Sequence, residues 1–421
     1  MEFEEIILRL RGRTEYFRVE GETLLLNPQK YPFGRGELPV LCDMEGEPSS
    51  AYISGNRSII LPEGGLWFKA KAIGIPFGIS RPFYRDGKLF SYFLSEANIG
   101  SGRLIWGFST VKEAENELRW MRRAKEMELP STEPIGMGIY ENVFVIELKN
   151  RKELFSYLNR TSRELLMERF SRESRKVEAA CLFCLEPTDV RVDEVLYAFS
   201  FPGVDELLGR EDCKDYLRWL GSSCGYNLRL HHDCGIMHGT IQADQGFMTN
   251  SHVANHLVGE EGTWMTDYHM AGELREKDLR KLEVFFLCHV MNPLPNAEAI
   301  ARSHFSSENF PRFEFYELLL SSSPDALASL GAFPLETPKS ELTEAFIEGV
   351  ELGYYKRSVF EVESRLKREM LRKSLLLKGK IWEILGIPKK MQRGVEYFRL
   401  MLQSKKTEDC YKKLRDFLEG V

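Results

Sequence analysis

At 421 residues, with 43% hydrophobic and 29% charged residues, the chain has an ordinary globular composition and length enough for two sizeable cores. A net charge of −6 and a pI near 5.9 argue against a basic, phosphate-backbone-binding surface, so nucleic acid is not expected as a partner. No stretch reaches the roughly 20 apolar residues of a membrane span, and the acidic MEFEEIILRLRG is no secretory signal, which leaves a cytoplasmic location as the expectation.

To about residue 200 the pattern is strand-rich with one strong helix. SSAYISGNRSIILPEGGLWFKAKAIGI reads as two β-rich runs around Ser54-Gly55-Asn56, a Gly64-Gly65 turn and a third run. A Gly- and aromatic-rich loop region, 74–107, follows. STVKEAENELRWMRRAKEMELP opens on Ser/Thr caps and runs with good helix formers to Pro130, presenting Val111, Ala114, Leu118, Met121 and Met127 as an apolar face. GMGIYENVFVIEL reads as a strand pair turning at Glu141-Asn142, and residues 150–178 as a charged helical insertion. Cys181 and Cys184 form the only CxxC among eight cysteines, inside apolar EAACLFCLEP, which predicts buried free thiols. VRVDEVLYAFSFPG reads as a strand ending in a Pro-Gly turn. From about 204 the chain reads as helical: first DELLGREDCKDYLRWLGSSCGYNLRLHHDCG, then a series over 273–421, one helix starting at Thr337-Pro338. The basic run Lys356–Lys380 reads as a solvated helix face.

Residues His231 to Gly272 hold six of the eight histidines, and two chemistries compete for them. His-His-Asp-Cys followed by His238 is compatible with a zinc-binding protein built on the His231–His238 cluster. The alternative is nucleotide handling, and the order of elements favours it. A β-rich lobe with one helix (1–201), a hinge near Pro202 and a helical lobe (202–421) is the layout of protein-kinase-like enzymes. The expected fold is therefore α+β, two-lobed and protein-kinase-like. Each part then has a task toward ATP and Mg²⁺. Adenine would lie at the hinge, beside Phe199 and Phe201. Lys69 and Lys71, two apart on a strand and so on one face, are candidates for the phosphate lysine. Glu113 and Glu117, four apart on the following helix, are candidates to hold it. The turn at Ser54-Gly55-Asn56-Arg57-Ser58 is placed to lie over the phosphates. Asn255, entering a short strand, and Asp267, ending the next, are the expected magnesium ligands. His238-Gly239-Thr240 lacks the carboxylate that kinases carry after His-Gly. Asp244 is the candidate base, because Asn250, at the usual spacing before Asn255, cannot accept a proton as a carboxylate does.

Several of these segments resemble the selenoprotein O family, kinase-fold enzymes that attach AMP to proteins. AKAIGIPFGISR, SGRLIWGFSTVKE, LPSTEPIG, GIMHGTIQAD and MTDYHMAG each look like a stretch of that family. The resemblance implies Lys71 as the phosphate lysine, Glu113 as its partner, Arg81 and Arg103 as phosphate contacts and Asp267 as a metal ligand. It leaves open whether a phosphoryl or an adenylyl group is transferred, and to which protein or small-molecule acceptor. A nucleotide-binding pseudokinase acting as a regulatory module is the alternative to an enzyme, because the base is displaced.

Overall fold

A computed structural model describes residues 3–41, 47–55, 57–74, 83–85, 88–90, 103–104, 107–148, 174–200, 203–243, 246–274, 277–289, 292, 294, 341–384, 412–413 and 415–417. Helix α1 (Phe3–Leu10) leads into strands β1 (Arg13–Leu25), β2 (Glu37–Val40), β3 (Ser49–Ile53), β4 (Ser58–Glu63) and β5 (Leu66–Lys71). Short strands β6 (Phe83–Arg85), β7 (Lys88–Phe90), β8 (Arg103–Leu104) and β9 (Ser109–Thr110) precede helix α2 (Val111–Glu126) and two long strands, β10 (Glu133–Leu148) and β11 (Ser174–Glu186). Together they form one large, mostly antiparallel sheet in the order β2-β1-β3-β4-β5-β11-β10-β7-β6, with β8 on β10 and β9 on β11. The first residues of β1 pair with β3 and its last with β10, so the circuit β1-β3-β4-β5-β11-β10 closes on itself. Closure leaves those strands without a free edge.

Strand periodicity decides what each face of this circuit buries. On β5, Phe68 and Ala70 join Tyr31, Phe33 and Phe183 in one aromatic-rich cluster, with ring centroids 4.8 to 6.2 Å apart. Trp67 faces the other way, into the main core with Ala114 and Met121 of α2. Lys69 and Lys71 share that second face. The same alternation separates the CxxC cysteines. Cys181 packs in the aromatic cluster and Cys184 in the main core, both as free thiols, and burial pushes the Cys181 thiol up to about 12.

The helical half contains α3 (Val192–Phe199), α4 (Val204–Leu208), α5 (Arg210–Asp233), α6 (Lys277–His289), α7 (Glu341–Lys356) and α8 (Ser364–Ile384). Between α5 and α6 lie the short strands β12 (Ile236–Met237), β13 (Thr240–Ala243), β14 (Gly246–Thr249), β15 (His256–Val258), β16 (Thr263–Met265) and β17 (Gly272–Glu273). Pairing of β15 with β16 makes the expected hairpin.

Several expectations are corrected. VRVDEVLYAF is not a strand. Glu194 accepts from the Arg191 N–H at 2.9 Å, closing a helix start, and Val192, Val195, Leu196 and Phe199 recur at helical spacing and are buried. GMGIYENVFVIEL is one strand with a register shift between Ile139 and Phe144, because β11 pairs with it on both sides of the irregularity. Residues 174–178 of the supposed helical insertion belong to β11, while 149–173 lie outside the described residues. Met127 is exposed, and Trp120 and Glu117 take its place on the buried face of α2. Lys378, counted in a solvated face, is buried against Glu194. The boundary at Pro202 and the helix start at Thr337-Pro338 lie outside the described residues.

Candidate functional site

Lys71 ends β5 where the strand half meets the helical half. Its Nζ donates to Glu117 Oε1 (2.8 Å) and Oε2 (3.1 Å) on α2, and to Asp267 Oδ1 just beyond β16. Asp267 has a left-handed backbone (φ 70, ψ 60), uncommon for a residue with a side chain. That turn is held from both sides: the Asn250 amide donates to the Asp267 carbonyl, and Asn116 Nδ2 donates to the His269 carbonyl at 3.0 Å. The His269 Nδ1–H reaches Asp267 Oδ1 at 2.7 Å. Burial works against the Lys71 ammonium, but Asp267 and Glu117 outweigh it and its pKa is raised. Burial also works against the Asp267 carboxylate, and Lys71 and His269 more than reverse it, holding its pKa well below the usual range. The junction thus favours the charged forms of Lys71 and Asp267. Among the described residues, Glu117, Asp267 and His269 form the group of carboxylate and imidazole side chains whose ligand atoms lie within 4.8 Å of one another.

The other expected residues fall elsewhere. Glu113 does not hold Lys71. It caps its own helix, accepting from the Thr110 N–H (3.0 Å) while Thr110 Oγ1 accepts from the Glu113 N–H (3.2 Å). Lys69 points into a sealed network with Glu186 (3.0 Å) and Asp189 (3.4 Å). Asn255 is buried with its oxygen accepting from Arg191 (3.1 Å) and its amide donating to the Asn250 carbonyl (2.8 Å), so in this arrangement it shapes the loop beside Asp267. Phe199 is buried at the end of α3 against Tyr216, ring centroids 5.8 Å apart, and not on an open hinge. Arg103 lies on β8 opposite Glu147. Arg81, Phe201 and Asp244 lie outside the described residues.

The histidines that suggested zinc already serve in packing. His231 donates from Nδ1 to the Asn227 carbonyl (2.9 Å), which leaves Nε2 to accept from the Tyr268 hydroxyl (2.7 Å). His232 is held between Glu283 and the Tyr354 hydroxyl, 2.7 Å each, and His238 Nε2 donates to the Thr266 carbonyl (2.7 Å). Glu283 also accepts from the Gly239 N–H at 2.9 Å, so it fixes the His-Gly turn. Arg57 was expected only as part of the turn over the phosphates, and no role was expected for His269, Glu186 or Asp189. His269 had a signal, since it stands two residues after the expected metal ligand; Glu186 and Asp189 acquire meaning only through contacts distant in sequence. No protein-family model and no curated protein matches the chain.

Proposed function

We propose that the chain is a protein-kinase-like transferase dependent on ATP and a divalent cation, its strand and helical halves forming two lobes around Lys71 and Asp267. The observation that carries this reading is the three-way junction of a strand lysine, a helix glutamate and an aspartate at the end of a hairpin. A lysine kept charged by Glu117 suits the neutralisation of phosphate oxygens, and Asp267 offers a hard oxygen donor for Mg²⁺. When bound, the cation neutralises phosphate charge. In the liganded protein Glu117 would keep hold of Lys71, while Asp267, relieved of Lys71, would hold the cation. In phosphoryl transfer the acceptor oxygen bonds to the γ-phosphorus as the β–γ bridge breaks and ADP leaves. In adenylyl transfer it bonds to the α-phosphorus and pyrophosphate leaves. Either way the acceptor loses a proton to a base, for which Asp244 is the candidate.

A second reading, a nucleotide-binding pseudoenzyme, is favoured by Asn250. It occupies the spacing of the kinase base with no carboxylate, and its amide is engaged with the Asp267 carbonyl. Incubation with α-labelled and γ-labelled ATP separates the readings: γ-label on protein marks a kinase, α-label an adenylyltransferase, and binding without label a pseudoenzyme. Asp267→Asn is expected to abolish the metal-dependent thermal shift with ATP while melting remains cooperative. A wild-type shift in that variant would overturn the site.

A further inference from the structure

The space behind Lys71 is filled. Lys69, two residues back on β5, and its partners Glu186 and Asp189 have side chains no more than 2% exposed. Asp189 also accepts from Arg11 and Ser54, Glu186 accepts from Thr266 at 3.3 Å, and Arg11 continues to Glu194 at 2.8 Å. A nucleobase bound between the two halves needs an apolar slot and free backbone groups to read its edge. A buried charge network is the opposite of such a slot.

The backbone joining β11 to α3 is likewise engaged. The Asp189 carbonyl accepts from Arg11, and the Val190 N–H donates to Thr188 Oγ1 at 3.1 Å. The Val190 carbonyl accepts from the Val258 N–H at 2.8 Å, and the Arg191 N–H donates to Glu194 at 2.9 Å.

A second cation stands beside Lys71. Arg57 lies on the turn between β3 and β4, next to Ser58, which pairs with Lys71 across the strands. The Arg57 carbonyl accepts from the Ile73 N–H at 3.2 Å, and the Arg57 charge opposes that of the Lys71 ammonium. Its Nη1 is buried with no hydrogen-bond partner among the described residues, a costly state for a charged donor unless an anion completes it.

Resting on the kinase-like reading, we propose that the site takes a metal-complexed di- or triphosphate by its phosphate chain alone, with Arg57 and Lys71 as its cationic contacts and no base in the space filled by Lys69, Glu186 and Asp189. Guanidinium binds phosphate oxygens in pairs, which suits Arg57 to this part. The ligand class is then defined by its charge and length and not by its nucleobase.

Calorimetry on the full chain in Mg²⁺, with inorganic tripolyphosphate, ATP and GTP as titrants and adenosine as competitor, tests this directly. The three phosphates are expected to bind within about threefold of one another, and adenosine to displace none of them. Arg57→Ala, at a half-buried turn position, is expected to keep the apo melting temperature and lose roughly tenfold or more in affinity for all three phosphates alike. Displacement by adenosine, a tenfold preference for ATP, or wild-type binding by Arg57→Ala overturns the proposal. Binding of ATP alone would leave the kinase-like reading standing and this one fallen; binding of none of the phosphates would remove both.

Discussion

Replacing Glu113 with alanine removes the carboxylate half of the cap at Thr110 and is expected to cost about 1 kcal/mol of stability. Affinity for Mg·ATP should not change, because Glu113 does not touch Lys71. Glu117→Ala strips Lys71 of its helix partner, leaving it bound to Asp267 alone, and is expected to weaken Mg·ATP by roughly tenfold. Urea melts of both variants, with and without Mg·ATP, check the contrast; an equal loss of ligand stabilisation in the two would sink the assignment of Glu117. The choice between these glutamates was legible. Thr110-Val111-Lys112-Glu113 is a capping-box signature, and a glutamate that closes its own helix start has its carboxylate engaged. Arg57 was not legible in the same way. That its Nη1 lacks a partner among the described residues depends on which strands flank it, and no local pattern encodes that.

At the scale of elements, α5 and α7 approach through glycines four apart on each helix, Gly221 and Gly225 against Gly349 and Gly353. A Cβ at Gly353 would stand 2.1 Å from the Ser222 carbonyl oxygen and 2.6 Å from the Tyr226 nitrogen, both backbone atoms that cannot swing aside. Gly353→Ala should therefore push the helices apart and destabilise by about 1–3 kcal/mol, despite the better helix propensity of alanine. Gly272→Ala is the control, since a Cβ there meets nothing within 4 Å. Equal urea midpoints for the two variants would contradict the close approach. The glycine spacings are plain in GSSCG and GVELG, but only the pairing of the two helices gives them meaning. The misreading of VRVDEVLYAF has a related cause. Its valines favour a strand locally, whereas burial of Val192, Val195, Leu196 and Phe199 on a shared core rewards the helical period.

Across the whole molecule, the order of a strand-rich half before a helical half was readable from periodicity. Closure of the sheet through β1 and β10 was not, because it pairs residues more than a hundred positions apart. A consequence of the same long-range burial is acid sensitivity. Burial drives the pKa of His231 and His252 down to about 3 and that of His256 well below the usual value. Among the described residues His256 has no partner at either ring nitrogen, so none of them favours its charged form by a hydrogen bond. These groups are neutral when folded and gain protons near pH 6.5 when unfolded. The unfolded chain therefore binds more protons between about pH 6.5 and 3, and stability must fall as pH falls through that window. Each histidine contributes roughly 1.4 kcal/mol per pH unit there. His231 and His252 together cost about 4 kcal/mol by pH 5, a large part of the stability of an ordinary domain, and His238 and His256, shifted in the same direction, add to it. Asp267 and Glu283, whose pKa values are held below the usual carboxylate range, add to the loss at still lower pH. Urea midpoints should hold steady from pH 8 to 7 and drop steeply below 6.5. His256→Gln, which cannot titrate, should flatten that slope, and a midpoint unchanged between pH 7 and 5 in the wild type would show that these imidazoles are not buried as a neutral set.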